Sequence, residues 1–180
     1  TLPDLRRSGF AATRRVLEVE KISHDCQIGS AAFEKLQHPA TVDGQRASAL
    51  RFGDARVQAL LSVLIIFCLQ PDGVRSKQLR PLLAQFLGLE EGQITPGRMS
   101  YDLRRLRLHG LLERMAKTQR YRLTPGGLKT ALFYSRVYGR VIRPGLSVLH
   151  QPPSPDSKLS QAFEKIKQQL DALIELQPAA

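Results

Sequence analysis

A chain of 180 residues, 42% of them hydrophobic, can hold one well-packed domain with appendages, which excludes disorder throughout. Lysine and arginine number 27 against 16 aspartates and glutamates, a formal charge of +11 that favours a polyanionic partner, with nucleic acid leading. The chain starts at Thr1 rather than methionine, which points to a processed product or a fragment of something longer.

Residues 3–22 carry Leu5, Ala12, Val16 and Val19 at helical spacing, with Arg6, Arg7, Arg14 and Arg15 between them, and predict one long basic helix. Its arginines suit either phosphates or a solvated face. No signal-peptide arrangement opens the chain. A short helix is expected over 30–36, ended by Gln37-His38-Pro39, because the residue before proline is pushed out of the α region. Asp43-Gly44 between two short runs predicts a small hairpin.

Asp54 is an N-cap for a helix over 55–69 whose apolar residues nearly encircle the axis, the pattern of a buried core helix. Cys68, within this apolar run, and the distant Cys26 point to a reducing, cytoplasmic setting. The run is too short to span a bilayer, so no membrane partner is expected. Pro71-Asp72-Gly73 breaks the helix, and Ser76 is placed as the cap of a second one over 77–87, with Leu79, Leu82, Leu83, Phe86 and Leu87 inward. Pro81 is awkward within it and is read as marking its first turn.

Thr95-Pro96 starts a helix over 96–109 that Gly110 closes. Met99, Leu103 and Leu106 gather on one side; Gly97, Arg98, Tyr101, Arg104, Arg105 and Leu108 fall on the other. Two β-like runs over 111–123 then bracket the polar link 116–119 and predict a hairpin with a basic tip. Thr124-Pro125 opens a further helix to about residue 142, whose Leu132, Phe133, Tyr134, Val137, Tyr138 and Val141 are broader than one small domain buries. Either the N-terminal helix or another chain covers the surplus. Residues 143–156, rich in proline, read as a linker. Residues 157–177 then show a narrow seam of Leu159, Phe163, Ile166, Leu170 and Leu173, suited equally to docking on the same chain and to self-association.

Core helix, second helix, arginine-faced helix and hairpin, with Arg122-Leu123-Thr124-Pro125 as the exit, resemble a winged helix-turn-helix domain. The fold class expected is mainly α with a small β-hairpin wing, a winged core over 50–142, an N-terminal extension over 1–49 and a C-terminal helix. The resemblance implies that helix 96–109 enters a DNA groove through Arg98, Tyr101, Arg104 and Arg105. It implies that Lys117, Thr118, Gln119 and Arg120 at the wing tip hold phosphates, with Ser76 and Lys77 presenting an amide and a cation. Each has a plainer alternative: Arg104 or Arg107 pairing with Asp102 or Glu113, and Tyr101 covering the core edge.

A second resemblance rests on "LPDLRRSGFAATRRVLEVEKISHDC", "VDGQRASALRFGDARVQAL", "GRMSYDLRRLRLHGLLERM" and "RYRLTPGGLKTALFYSRVYGRVIRPGL". These look like the C-terminal part of a family of longer bacterial proteins, which implies a module of a larger protein and names no reaction. His24, His38, His109 and His150 are scattered, no metal-ligand spacing or phosphate loop occurs, and neither cofactor nor enzymatic activity is expected. The partners expected are duplex DNA and a second copy or larger assembly; a free-standing dimeric transcription regulator, or a protein-interaction or RNA-binding winged module, are the rival readings.

Overall fold

The computed structural model describes residues 2–90, 92–144, 146 and 158–175. It is mainly helical with two small antiparallel sheets. Three helix starts follow from side chains that satisfy the first free amides. Asp54 Oδ1 accepts from the amides of Arg56 at 2.9 Å and Val57 at 3.4 Å, opening α3 (Ala55–Ile66). Thr95 Oγ1 accepts from Arg98 N at 3.2 Å ahead of α5 (Pro96–Leu108). Thr124 Oγ1 accepts from Gly127 N at 2.9 Å at the start of α6 (Pro125–Val137).

The fourth start differs from the expectation. Val74 and Arg75 form a short strand, β3, so the chain stays extended through Arg75, and α4 (Ser76–Phe86) begins only after it. Arg75 is therefore the cap, with Arg75 N donating to Gln78 Oε1 at 3.0 Å; Ser76 is the first helical residue. Pro81 consequently stands inside the helix, where its ring nitrogen cannot donate to the carbonyl of Lys77.

The N-terminal residues supply α1 (Leu2–His24), α2 (Ser30–Gln37) and a hairpin of β1 (Ala40–Val42) with β2 (Gln45–Ala47). Asp43 and Gly44 turn it at φ 49° and 72°, the left-handed pair whose twist matches a two-residue hairpin. The second sheet has the order β3-β5-β4, from β4 (Leu112–Arg114) and β5 (Arg120–Leu123), with Leu112 opposite Leu123 and Val74 opposite Tyr121. The wing is thus anchored by a third strand that the sequence reading did not include.

Leu60, Leu61, Val63 and Leu64 of α3, Leu79 and Leu83 of α4, Met99, Leu103 and Leu106 of α5, and Leu128, Ala131 and Tyr134 of α6 make the core. Leu36 of α2 belongs to it as well, so the segment 1–49 contributes to the same core. It lies within one compact unit, residues 1–135. Arg15 of α1, only 4% exposed, is part of the reason: Nε donates to Cys68 O at 2.7 Å, Nη2 to Leu123 O at 3.3 Å, and Nη1 pairs with Glu18 at 2.7 Å. That guanidinium is a buried tie between α1, the end of α3 and the wing, neither a phosphate contact nor a solvated charge.

Phe33 of α2 meets Phe52, Phe133 and Tyr134 at 6.1 to 6.3 Å between ring centres, and Phe52 meets Tyr134 edge-on at 4.9 Å. The surplus apolar face of α6 is covered at these positions by α2 of the same chain. Tyr134 donates to Leu50 O at 3.2 Å and accepts from Gln37 at 3.0 Å; burial pushes its hydroxyl up to about 12.

The second unit, residues 136–180, contains a π-helical turn at Tyr138–Ile142, where a continuous α-helix was expected, and α7 (Lys158–Glu175). Of the expected linker 143–156, residues 145 and 147–156 lie outside the described residues. On α7, Phe163 is half-buried and Ile166 exposed; the other seam side chains, Leu159, Leu170 and Leu173, also lie outside the description. Among the described residues no helix is long and apolar enough to cross a membrane, and no cluster of three or more His, Cys, Asp or Glu is placed to hold a metal ion.

Two adjacent glycines separate packing from flexibility. A Cβ on Gly127 would sit 1.9 Å from Leu111 O, whereas one on Gly126 meets nothing within 4 Å. Gly127→Ala is expected to cost about 3 kcal/mol or more, since the clash is with backbone, while Gly126→Ala leaves stability unchanged or raises it by about 0.5 kcal/mol; urea unfolding measures both.

Candidate nucleic-acid interface

The orientation of α5 about its own axis decides which of its arginines are available. Met99, Leu103 and Leu106 turn into the core, each 1% exposed or less. Asp102, one position before Leu103, is drawn in with them to 3% exposure, and Arg56 of α3 forks onto it, Nε at 3.2 and 3.1 Å from the two carboxylate oxygens and Nη2 at 2.6 Å from Oδ2. A charge-assisted pair of this geometry holds two helices at one register and one rotation. The carboxylate that could have neutralised Arg104 or Arg107 is therefore spent on α3. Glu113 likewise pairs with Arg122, on the neighbouring strand, at 2.6 Å.

A second flank of α5 is occupied by the β1–β2 hairpin and the loop after it. Arg105 donates from Nε to Ser48 O at 3.1 Å and from Nη2 to Ala49 O, and lies 3.8 Å from Asp54; its side chain is 11% exposed. Tyr101 hydroxyl meets Ser48 Oγ at 3.1 Å, and His109 Nε2 lies 2.9 Å from Ser48 O. Arg104 reaches Gln45 Oε1 at 3.3 and 3.4 Å but stays exposed. Arg105 thus serves as a strut for the loop at 48–49, and Tyr101, though 49% exposed, leans on it.

What remains open is the stripe Gly97, Ser100, Arg104 and Arg107, spaced three or four residues apart, with Arg98 exposed at the first turn. The side chains of Arg98 and Arg107 have no partner among the described residues. Ser100 and Arg107 are the positions that sequence reasoning left out of the site. The wheel alone could not exclude Arg105 or include Arg107, because the displacing hairpin lies about sixty residues earlier in the chain. A small signal existed: once Asp102 is assigned inward, the outward direction turns toward Arg107.

At the wing the tip is partly self-engaged. Thr118 Oγ1 donates to Met115 O at 3.1 Å and accepts from Arg120 N at 3.1 Å, so it shapes the turn. Arg120 folds back, Nη1 donating to Gly73 O at 3.1 Å. Lys117, at φ 58°, and Gln119 are exposed, and neither side chain has a partner among the described residues. Arg114 is exposed too, with Nε on Thr118 O at 2.9 Å. At the start of α4, Lys77 is exposed and Ser76 half-buried.

Of the ten sequence-predicted residues, the structure leaves Lys77, Arg98, Arg104, Lys117 and Gln119 presenting free or lightly held groups, with Tyr101 half-covered. It turns Arg105, Thr118 and Arg120 to internal bonds and sets Ser76 in the first turn of α4. Comparison with family models, curated proteins and solved structures finds no match.

Burial lowers the affinity of His109 for a proton, and the nearby Arg105 and Lys35 charges add to that, against the opposing bond to Ser48. Its folded value lies below the ordinary 6.5, so the unfolded chain binds the proton more readily and stability falls as the pH drops below 6.5. His109→Gln is expected to flatten that acid limb; urea unfolding above and below pH 6.5 reads it, and an unaltered slope would contradict the assignment.

Proposed function

We propose that this chain binds duplex DNA as a winged helix-turn-helix module, non-enzymatic in itself, which targets a larger bacterial protein or assembly to DNA. The observation that carries the reading is the outward stripe of α5. Arg104 and Arg107 stand clear of carboxylates because the acids nearest in sequence, Asp102 and Glu113, are engaged by Arg56 and Arg122. A cationic helix face with no internal counter-charge repels itself and attracts a polyanion. The free Lys117 and Gln119 at the wing tip and Lys77 at the head of α4 support the same reading, as groups suited to backbone phosphates.

In this mechanism α5 faces the major groove with Arg98 and Ser100 nearest the base edges, the position helix N-termini take in helix-turn-helix complexes. Arg104 and Arg107 neutralise phosphates at the groove edge, and the wing grips the backbone beside it. Arg105 contributes indirectly, by keeping the loop at 48–49 in place.

A second reading, a protein-interaction module, is favoured by one observation: Leu2, Leu5, Phe10 and Leu17 of α1 are each at least 60% exposed. Titration with duplex separates the two. Arg104→Ala with Arg107→Ala is expected to weaken duplex binding about tenfold or more and to reduce the salt slope by about 2, leaving the thermal midpoint in place. Unchanged affinity at every salt concentration would overturn the DNA reading. Arg105→Ala is not an equivalent test, because it also removes the bonds to Ser48 and Ala49.

A further inference from the structure

We infer that the β1–β2 hairpin is a second wing, gripping the DNA phosphate backbone beside α5 on the flank marked by Tyr101, Arg105 and His109; this rests on the duplex-binding reading above. The hairpin is a fixed neighbour of α5. Gln45 meets Arg104, Ser48 meets Tyr101, Arg105 and His109, and Ala47 beneath them is 3% exposed. Residues alternate across a strand, so with Gln45 and Ala47 toward α5, Arg46 lies on the other face, directly opposite Thr41 in the register. Both are exposed, and the Arg46 side chain has no partner among the described residues. The outer face of the hairpin thus presents a guanidinium beside a hydroxyl, a pair suited to one phosphate group.

Width decides how this pair could meet DNA. A helix with its side chains is about 10–12 Å across, and the major groove is about 12 Å wide. The helix alone already matches that width, so α5 and a hairpin packed against its side together exceed the groove. The first residue of α5 bonded to the hairpin or the loop after it is Tyr101, which meets Ser48 of that loop. The turns before it, Pro96 to Ser100, can enter the groove unaccompanied, while from Tyr101 onward the hairpin must ride over the phosphate ridge. An inclined entry of α5 follows, with Arg98 and Ser100 deepest and Arg46 and Thr41 on the backbone outside.

The test uses the whole chain and a short duplex, with affinity measured across a salt series. Arg46→Gln is expected to weaken binding several-fold and to reduce the salt slope by about 1, with an unchanged melting temperature; Thr41→Val should weaken it less. If the unaltered chain binds duplex and Arg46→Gln changes neither affinity nor slope, the second wing is wrong and the DNA reading stands. If the unaltered chain does not bind duplex, both fall together. Gln45→Ala with Ser48→Ala, which loosens the hairpin from α5, should lower affinity; a rise would make the hairpin a cover over the helix and overturn the inference.

Discussion

The buried fork between Arg56 and Asp102 is the constraint on which the exposed surface depends. Taking both charges out of water offsets most of their attraction, so the pair adds little net stability, but removing either partner strands a buried charge at a cost of about 3–5 kcal/mol. Its contribution is orientation. With Asp102 drawn to α3 beside Met99 and Leu103, α5 cannot roll without breaking the fork, and the residues that face solvent are set by that rotation. Arg104 and Arg107 stay uncompensated because the same interaction consumes their nearest acid.

The N-terminal segment completes the arrangement from outside. The loop after the β1–β2 hairpin is held by Arg105 and His109, while α2 seals α6 through Phe33 and Phe133, and Arg15 joins α1 to the carbonyls of Cys68 and Leu123. Three basic residues that would read as surface charge in a sequence therefore act as internal ties. The formal charge of +11 overstates what α5 can offer a ligand and understates how selectively it is presented.

Local chemistry made much of the fold legible. Asp54, Thr95 and Thr124 each announce a helix by the geometry of a side-chain oxygen over the next amides, and Asp43-Gly44 announces its hairpin by tolerance of the left-handed region. Illegible were the features that depend on distant partners. Strand β3 is two residues long and exists because β5, about forty-five residues later, pairs with it; that pairing moved the cap of α4 from Ser76 to Arg75. The candidate site failed in the same way. Arg105 looked equivalent to Arg104 on a helical wheel until Ser48 and Ala49 claimed it, and Arg120 looked like a tip residue until Gly73 did. Periodicity located the face of α5 that packs, but only tertiary contacts divided the remainder into covered and open parts.

The central claim is that the open part of α5, the wing tip and the outer hairpin together form one duplex-binding surface. Backbone-amide chemical-shift mapping during titration with a short DNA duplex tests it most directly. Shifts are expected to concentrate at residues 97–100, 104 and 107, at 117–119 and at 41–46, with residues 4–14 of α1 unmoved. Shifts confined to α1, or none at α5 under saturating duplex, would contradict it.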